Sequence, residues 1–114
     1  MDEQKRNLFL DRLLEKTEKK ELDWQTTIKN TTFLVGLKDT AISVTKENDE
    51  FYSFDFRDDM GNIVDLVIIS KKDFPAKEFE DTEFDKAKKI FDLARRQSLK
   101  PEQTVDRILE ELAA

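Results

Sequence analysis

Two aspartates, Asp55 and Asp65, have the residue type and spacing that could do chemistry in this chain. Each lies in an alternating apolar segment, and the turn sequence Asp58-Asp59-Met60-Gly61 between the two segments favours a β-hairpin. A hairpin closed by this turn places Asp55 directly opposite Asp65. Two opposed carboxylates repel, so they must be solvated, be neutralised by Lys or Arg, share a proton, or bind a hard cation.

Solvation and neutralisation are the commoner outcomes, and a metal site needs more ligands than the hairpin offers. We therefore expect no metal, no cofactor and no catalytic residue, with Asp55 and Asp65 as the candidates if a metal or hydrolytic site exists. Asp58 and Asp59 are turn formers in this interpretation. The calcium-loop pattern counted from Asp55 fails, because Arg57 occupies an acidic position and Gly61 comes one residue late.

The same hairpin predicts how its apolar residues divide between the two faces of a sheet. With Asp55 opposite Asp65, the core face receives Tyr52, Phe54 and Phe56 from the first strand and Val64, Leu66 and Ile68 from the second. Residues 64–69 are apolar on both faces, which predicts a strand in the interior of the sheet. The face carrying the two aspartates is then either a partner surface or a surface covered by a helix.

The spacing of apolar residues along the chain predicts the strands and helices that position this hairpin. Residues 25–70 alternate with period two over short connections, which predicts an antiparallel meander of about four strands, or five if residues 25–29 add an edge strand. Helical spacing appears in residues 3–20, 83–98 and 101–112, and residues 71–81 form a loop. The sequence predicts a single two-layer α+β domain over residues 1–114, with one N-terminal and two C-terminal helices packed on the sheet.

Capping residues mark the helix starts. Asp2 is an expected N-cap, Thr82 and Asp85 form an expected capping box, and Pro101 suits the first position of the last helix. Trp24 follows the first helix and is expected to anchor that junction in the core.

The composition excludes most catalytic repertoires. The 114 residues include no Cys and no His, which removes disulfides, thiolate sites and the commonest general base. Neither a G-x-S-x-G nor a phosphate-binding glycine loop occurs, so we expect no enzyme. No apolar run of about 20 residues and no signal peptide is present, which predicts a cytoplasmic protein without a membrane contact.

The net charge of −6 is concentrated in the middle of the chain. Residues 47–85 contain 13 acids and 4 bases, whereas the segments before and after are slightly basic. This field repels phosphate backbones and favours a protein partner with a basic surface. The predicted partner contacts are Asp55, Asp58, Asp59 and Asp65, with Glu47, Asp49 and Glu50 steering association.

The order of elements also resembles a known group. The chain resembles a recurring class of small bacterial α+β proteins in the order of its elements. These are a helix, the segment Lys19-Lys20-Glu21-Leu22-Asp23-Trp24, a meander with an acidic glycine turn, the segment Phe91-Asp92-Leu93-Ala94-Arg95-Arg96 and a last amphipathic helix. The resemblance spans most of the chain, although Glu21 stands where glycine is commoner. It implies the fold and carries no activity or site residue.

Three functional hypotheses follow. The first is a non-enzymatic, acidic protein-binding module of a bacterium or phage, since immunity proteins, antitoxins and anti-defence proteins share this size and charge. The alternative is a carboxylate-based cation-binding or hydrolytic domain centred on Asp55 and Asp65. The second alternative is a structural homo-oligomer, such as a homodimer, built through the second sheet face.

Overall fold

A five-stranded antiparallel sheet and three α-helices make up residues 1–114, all of which the computed structural model describes. The helices are α1 (Glu3–Glu18), α2 (Glu83–Leu99) and α3 (Pro101–Ala113). The strands are β1 (Trp24–Thr26), β2 (Thr32–Gly36), β3 (Ala41–Asn48), β4 (Phe51–Arg57) and β5 (Ile63–Ser70), followed by a 3₁₀ turn at Lys71–Asp73. The strands lie in the sheet in chain order, as a meander. The predicted α+β class with its antiparallel sheet is confirmed.

The hydrophobic core lies between one face of the sheet, here the core face, and helices α1 and α2. Tyr52 and Phe54 of β4 are buried there, and Phe56 is half-buried. The ring of Phe9 in α1 meets those of Phe54 and Phe56 edge-on, with centroids 5.4 and 4.8 Å away. Phe91 of α2 packs on Tyr52 at 5.6 Å. The predicted aromatic row of β4 is therefore the centre of the core.

The predicted caps are present. The Asp2 carboxylate accepts the amide of Lys5 at 2.8 Å and so caps α1. At the start of α2, the Thr82 hydroxyl accepts the Asp85 amide, while the Asp85 carboxylate accepts the Thr82 amide. This reciprocal capping box satisfies two amides that a helix start would otherwise leave without a partner.

Trp24 joins the end of α1 to the sheet. Its side chain is buried, and the indole Nε1 donates to the Thr17 hydroxyl at 3.2 Å. The same hydroxyl donates to the Leu13 carbonyl at 2.7 Å. Because Thr17 is itself fully buried, no water is available to replace it as the acceptor for the indole. The predicted anchoring role of Trp24 is confirmed.

Replacing Thr17 by valine keeps the shape of the side chain and removes the acceptor of the Trp24 indole. We expect the free energy of unfolding to fall by about 2 kcal/mol, because a buried donor is left unpaired. Urea denaturation followed by circular dichroism measures this. The matched control is Ser98→Ala, since the Ser98 hydroxyl makes only the equivalent bond to the Ala94 carbonyl. Equal losses in both variants would contradict the role of the indole bond.

The register of β4 and β5 differs from the predicted one. Asp58 and Asn62 face each other across the turn, and Arg57 pairs with Ile63, which is the register that would set Asp55 opposite Asp65 if it continued. The next pair is Phe56 with Asp65, so Val64 is an extra residue in β5 that has no partner in β4. This β-bulge moves every later residue of β5 to the other face. Asp55 consequently lies opposite Leu66, and the prediction that Asp55 opposes Asp65 is wrong.

The bulge exchanges the two apolar rows of β5. Val67 and Ile69 are buried against the core, whereas Val64, Leu66 and Ile68 are exposed on the opposite face, here the outer face. The prediction that those three residues share the core face with the aromatic row of β4 is therefore wrong. A physical reason is that both rows are apolar, so burial does not favour either register, while the bulge separates two like charges.

Strand β5 is an edge strand. It pairs only with β4, and β1 forms the other edge. The prediction that the two-sided apolar pattern of residues 64–69 marks an interior strand is therefore wrong. One row faces the core and the other is exposed on the outer face.

Helix α3 begins after a sharp change of backbone direction. Lys100 has a left-handed conformation with φ of 48°, and Pro101 opens α3. None of the 13 residues of α3 is buried. The apolar residues that its spacing predicts for packing, Val105, Ile108, Leu109 and Leu112, are all exposed.

Candidate protein-binding surfaces

The two candidate aspartates lie on opposite faces of the sheet. Asp55 is on the outer face, where Arg57 Nε donates to its Oδ1 at 3.1 Å. Asp65 is at the edge of the core face, where its Oδ1 accepts the Leu66 amide at 2.8 Å and its Oδ2 lies 3.8 Å from the N-terminal amine of Met1. The bulge at Val64 thus gives each carboxylate a separate cationic partner, and the structure does not bring the predicted pair together.

No group of three or more acidic, His or Cys side chains lies close enough together to hold a metal ion. Asp55 has its cationic partner on its own strand, two residues away. The alternative in which Arg neutralises this carboxylate is the one that the structure shows.

The acids of the hairpin turn are held by the turn itself. Asp58 Oδ1 accepts the amides of Met60 and Asn62, each at 2.9 Å, and Gly61 has the left-handed conformation with φ of 83°. The Asn62 amide, the stronger influence, and the Met60 amide hold the pKa of Asp58 below its usual value. Asp58 is therefore a charged turn former, and Asp59 beside it is exposed.

The other three predicted contacts lie at the opposite end of β4. Glu47 accepts a hydrogen bond from the Ser53 hydroxyl at 2.9 Å, and Asp49 pairs with Lys46 at 3.3 Å. Glu50 is exposed in the same turn. A seven-residue strand is about 20 Å long, so these acids are separated from Asp58 and Asp59 by that distance. The seven predicted contacts do not form one patch.

One exposed apolar surface lies on α3, where the sequence predicts packing against the sheet. Val105, Ile108, Leu109 and Leu112 lie along one face of the helix, here the α3 face. Helical geometry places Glu102 along one side of this face and Glu111 along the other. With Asp106 and Glu110 as well, and Arg107 as the only base, the helix carries a net charge of −3. It presents an apolar stripe between acidic borders.

A second apolar surface is the exposed row of β5. Val64, Leu66 and Ile68 form this row, here the β5 row, and their side chains are 64, 55 and 57% exposed. The central strands are polar on the same face, with Ser43, Ser53 and Asp55. The apolar part of the outer face is thus confined to its edge. The bulge that exposes this row has no clear signal in the sequence.

A pocket of about 370 Å³ lies beside α1. Five apolar residues line it, namely Phe9, Leu13, Leu22, Leu37 and Ile42. Its other lining residues are Arg12, Lys16 and Glu21, of which the last two are paired with each other at 2.7 Å.

Comparisons with protein-family models, with curated proteins and with solved structures give no match to this chain. None of its helices is both long enough and apolar enough to cross a membrane. What the fold and its surfaces define is an α+β chain with a well-packed core and two exposed apolar surfaces, the α3 face and the β5 row.

Proposed function

We propose that this chain is a non-enzymatic, acidic protein-binding module of the immunity, antitoxin or anti-defence type. It acts in the cytoplasm of a bacterium, as a host or phage product, by covering a basic surface of a protein partner. The observation that carries this proposal is the α3 face: a helix with four exposed apolar residues and a net charge of −3, none of whose residues is buried.

An amphipathic helix of this kind suits an apolar groove on another protein. The residues Val105, Ile108, Leu109 and Leu112 recur at the spacing by which helical ligands anchor in such grooves. Burying one large aliphatic side chain completely contributes about 1.5 to 3 kcal/mol. The half-exposed anchors of α3 would gain only part of that amount each. Together they offset part of the cost of association, and the charges of the helix add to their contribution.

The acidic borders of the α3 face determine which charge the partner's groove must carry. Glu102 and Glu111 flank the apolar stripe, so a groove edged by Lys and Arg matches it and an acidic groove is repelled. The further acids at both ends of β4, among them Asp58, Asp59, Asp49 and Glu50, would add to the attraction at longer range. Exposed charges of this kind act mainly on the rate of association.

The proposal predicts that a double variant, Leu109→Ala/Leu112→Ala, loses its partner. Immobilised wild-type chain is expected to retain one protein from a lysate of the native cells in a saturable, near-stoichiometric amount. Calorimetry with that purified partner is then expected to show a dissociation constant at least ~10-fold higher for the variant, because each anchor contributes on the order of 1 kcal/mol. Alanine keeps the helix propensity and charge of α3 unchanged.

The matched control is Leu8→Ala, which removes an exposed leucine of α1 whose exposure is close to that of Leu109. Its affinity should equal that of the wild type. Association of the wild type should also slow as salt is raised, since the acidic borders are screened. Retention of no saturable partner would contradict the proposed function. Equal affinity in the double variant and the control would instead show that α3 is not the binding element.

A further inference from the structure

Strand β5 has an open edge. Its partner β4 lies on one side, and the Lys71 amide donates to the Glu50 carbonyl at 2.7 Å just beyond the end of the strand. In an antiparallel ladder the residues bonded to the neighbour alternate with residues whose backbone groups point away from it. Counting back from Lys71, the amides and carbonyls of Leu66, Ile68 and Ser70 therefore point away from β4.

Most of these outward backbone groups have no partner in the chain. The Leu66 amide donates to the Asp65 side chain and the Ser70 carbonyl opens the 3₁₀ turn at Lys71–Asp73, whereas the Ile68 amide, the Ile68 carbonyl and the Ser70 amide have no neighbouring strand on this side. The strand is eight residues long and contains no Lys and no Pro, the residues that usually protect an edge. Such a row of donors and acceptors is a template for another strand.

The apolar side chains point to a contact at the edge of the sheet. The β5 row is exposed, whereas on the adjoining strand Ser53 is already buried and the partly exposed Asp55 is paired with Arg57. Two outer faces pressed together would take this ion pair out of water. A strand added beside β5 would instead contact the β5 row and leave the pair of Asp55 and Arg57 in place.

The charges at the two ends of β5 are complementary to those of a second β5 strand, so the partner that fits this edge is a second copy of the same chain. Asp65 lies near the start of the strand and Lys71 directly follows its end, and both are exposed. In an antiparallel pair of two β5 strands related by a twofold axis at Ile68, Asp65 of each copy lies opposite Lys71 of the other. Leu66 then lies opposite Ser70, and the two Ile68 side chains meet at the axis. The edge is thus complementary to itself in charge, and at Ile68 it is complementary in hydrogen bonding as well.

We propose that two copies of this chain pair antiparallel through β5 and form one continuous ten-stranded sheet. The surface involved is separate from the α3 face, so the dimer does not depend on the proposed partner. Each copy supplies the amide and carbonyl of Ile68, the Ser70 amide, the β5 row and one acid and one base to the symmetric interface.

Sedimentation velocity over a concentration series tests the pairing. The wild type is expected to form a dimer, and Ile68→Lys is expected to raise the dimer dissociation constant about 100-fold, because two like charges then meet at the axis. The control is Ile28→Lys, which places the same charge at a fully exposed isoleucine between β1 and β2 and should leave the dimer intact. Circular dichroism should show the same fold in both variants, since both positions are exposed.

A charge exchange tests the register. Lys71→Glu and Asp65→Lys are each expected to weaken the dimer about 10-fold, and the double variant should recover most of the wild-type affinity. Hydrogen exchange should show the amides of Ile68 and Ser70 protected in the dimer and unprotected in Ile68→Lys. A monomeric wild type, a dimer that survives Ile68→Lys, or a double variant without recovery would each overturn the proposed pairing.

Discussion

Replacing Phe54 by alanine is expected to lower the free energy of unfolding by about 4 kcal/mol. Phe54 is 0% exposed, lies in the second-to-last strand of the sheet and meets the ring of Phe9 edge-on at 5.4 Å. Its loss removes a large buried apolar area and an aromatic contact that joins α1 to the sheet. Since Phe54 packs directly against α1, the cavity cannot be filled without moving the helix.

Denaturation in urea with linear extrapolation measures this effect. The matched control is Phe79→Ala, in the loop before α2, where the side chain is fully exposed. That variant should stay within about 0.5 kcal/mol of the wild type. A loss for Phe54→Ala below about 1.5 kcal/mol would mean that the aromatic row is not the centre of the core.

Replacing Arg6 by methionine has the second-largest expected effect, a loss of about 3 kcal/mol. Arg6 binds Glu83 through two parallel hydrogen bonds of 2.8 and 2.9 Å, and its guanidinium lies 5.3 Å from the centre of the Phe74 ring. The Glu83 side chain is only 7% exposed. The variant therefore leaves a buried carboxylate without its counter-charge, which costs more than the attraction it removes. The Glu83 hydrogen bonds also raise the pKa of Arg6 above its usual value.

The double variant Arg6→Met/Glu83→Met separates the two contributions. Removing both charges should recover most of the lost stability, since well-packed apolar residues replace buried ion pairs at little cost. Lys19→Met is the control, because its pair with Glu15 is exposed to solvent, and its unfolding midpoint should match that of the wild type. If the double variant were no more stable than Arg6→Met, the cost would lie in packing and not in the unpaired carboxylate.

Much of the fold could be predicted from local signals. The caps at Asp2 and Thr82 depend on residues within three positions of each other, and the aromatic alternation of β4 depends on a single strand. The register of β5 depends on its neighbour instead. Residues 64–69 are apolar on both faces, so the hydrophobic pattern is equally satisfied with and without the bulge at Val64. Only the structure distinguishes the two arrangements.

The candidate binding surfaces were harder to predict for a similar reason. The spacing of Val105, Ile108 and Leu112 predicts an apolar face on α3, but the same spacing serves a helix that packs on its own core and one that binds another protein. Charge counts along the sequence are limited in the same way, because they give the amount of charge in a segment and not its position in the fold. They identify an acidic middle segment without showing that its acids are distributed between two ends and two faces of the sheet.

The unequal lengths of the two edge strands set a limit on assembly size. The open edge, β5, is eight residues long, whereas the opposite edge, β1, has only three. Such a sheet can be extended on one side only. Its growth ends once one further copy has been added, because the joined copies then expose their short β1 strands at both outer ends. In the proposed dimer, the shortness of β1 therefore makes the assembly finite: it stops at a pair and does not grow into a fibre.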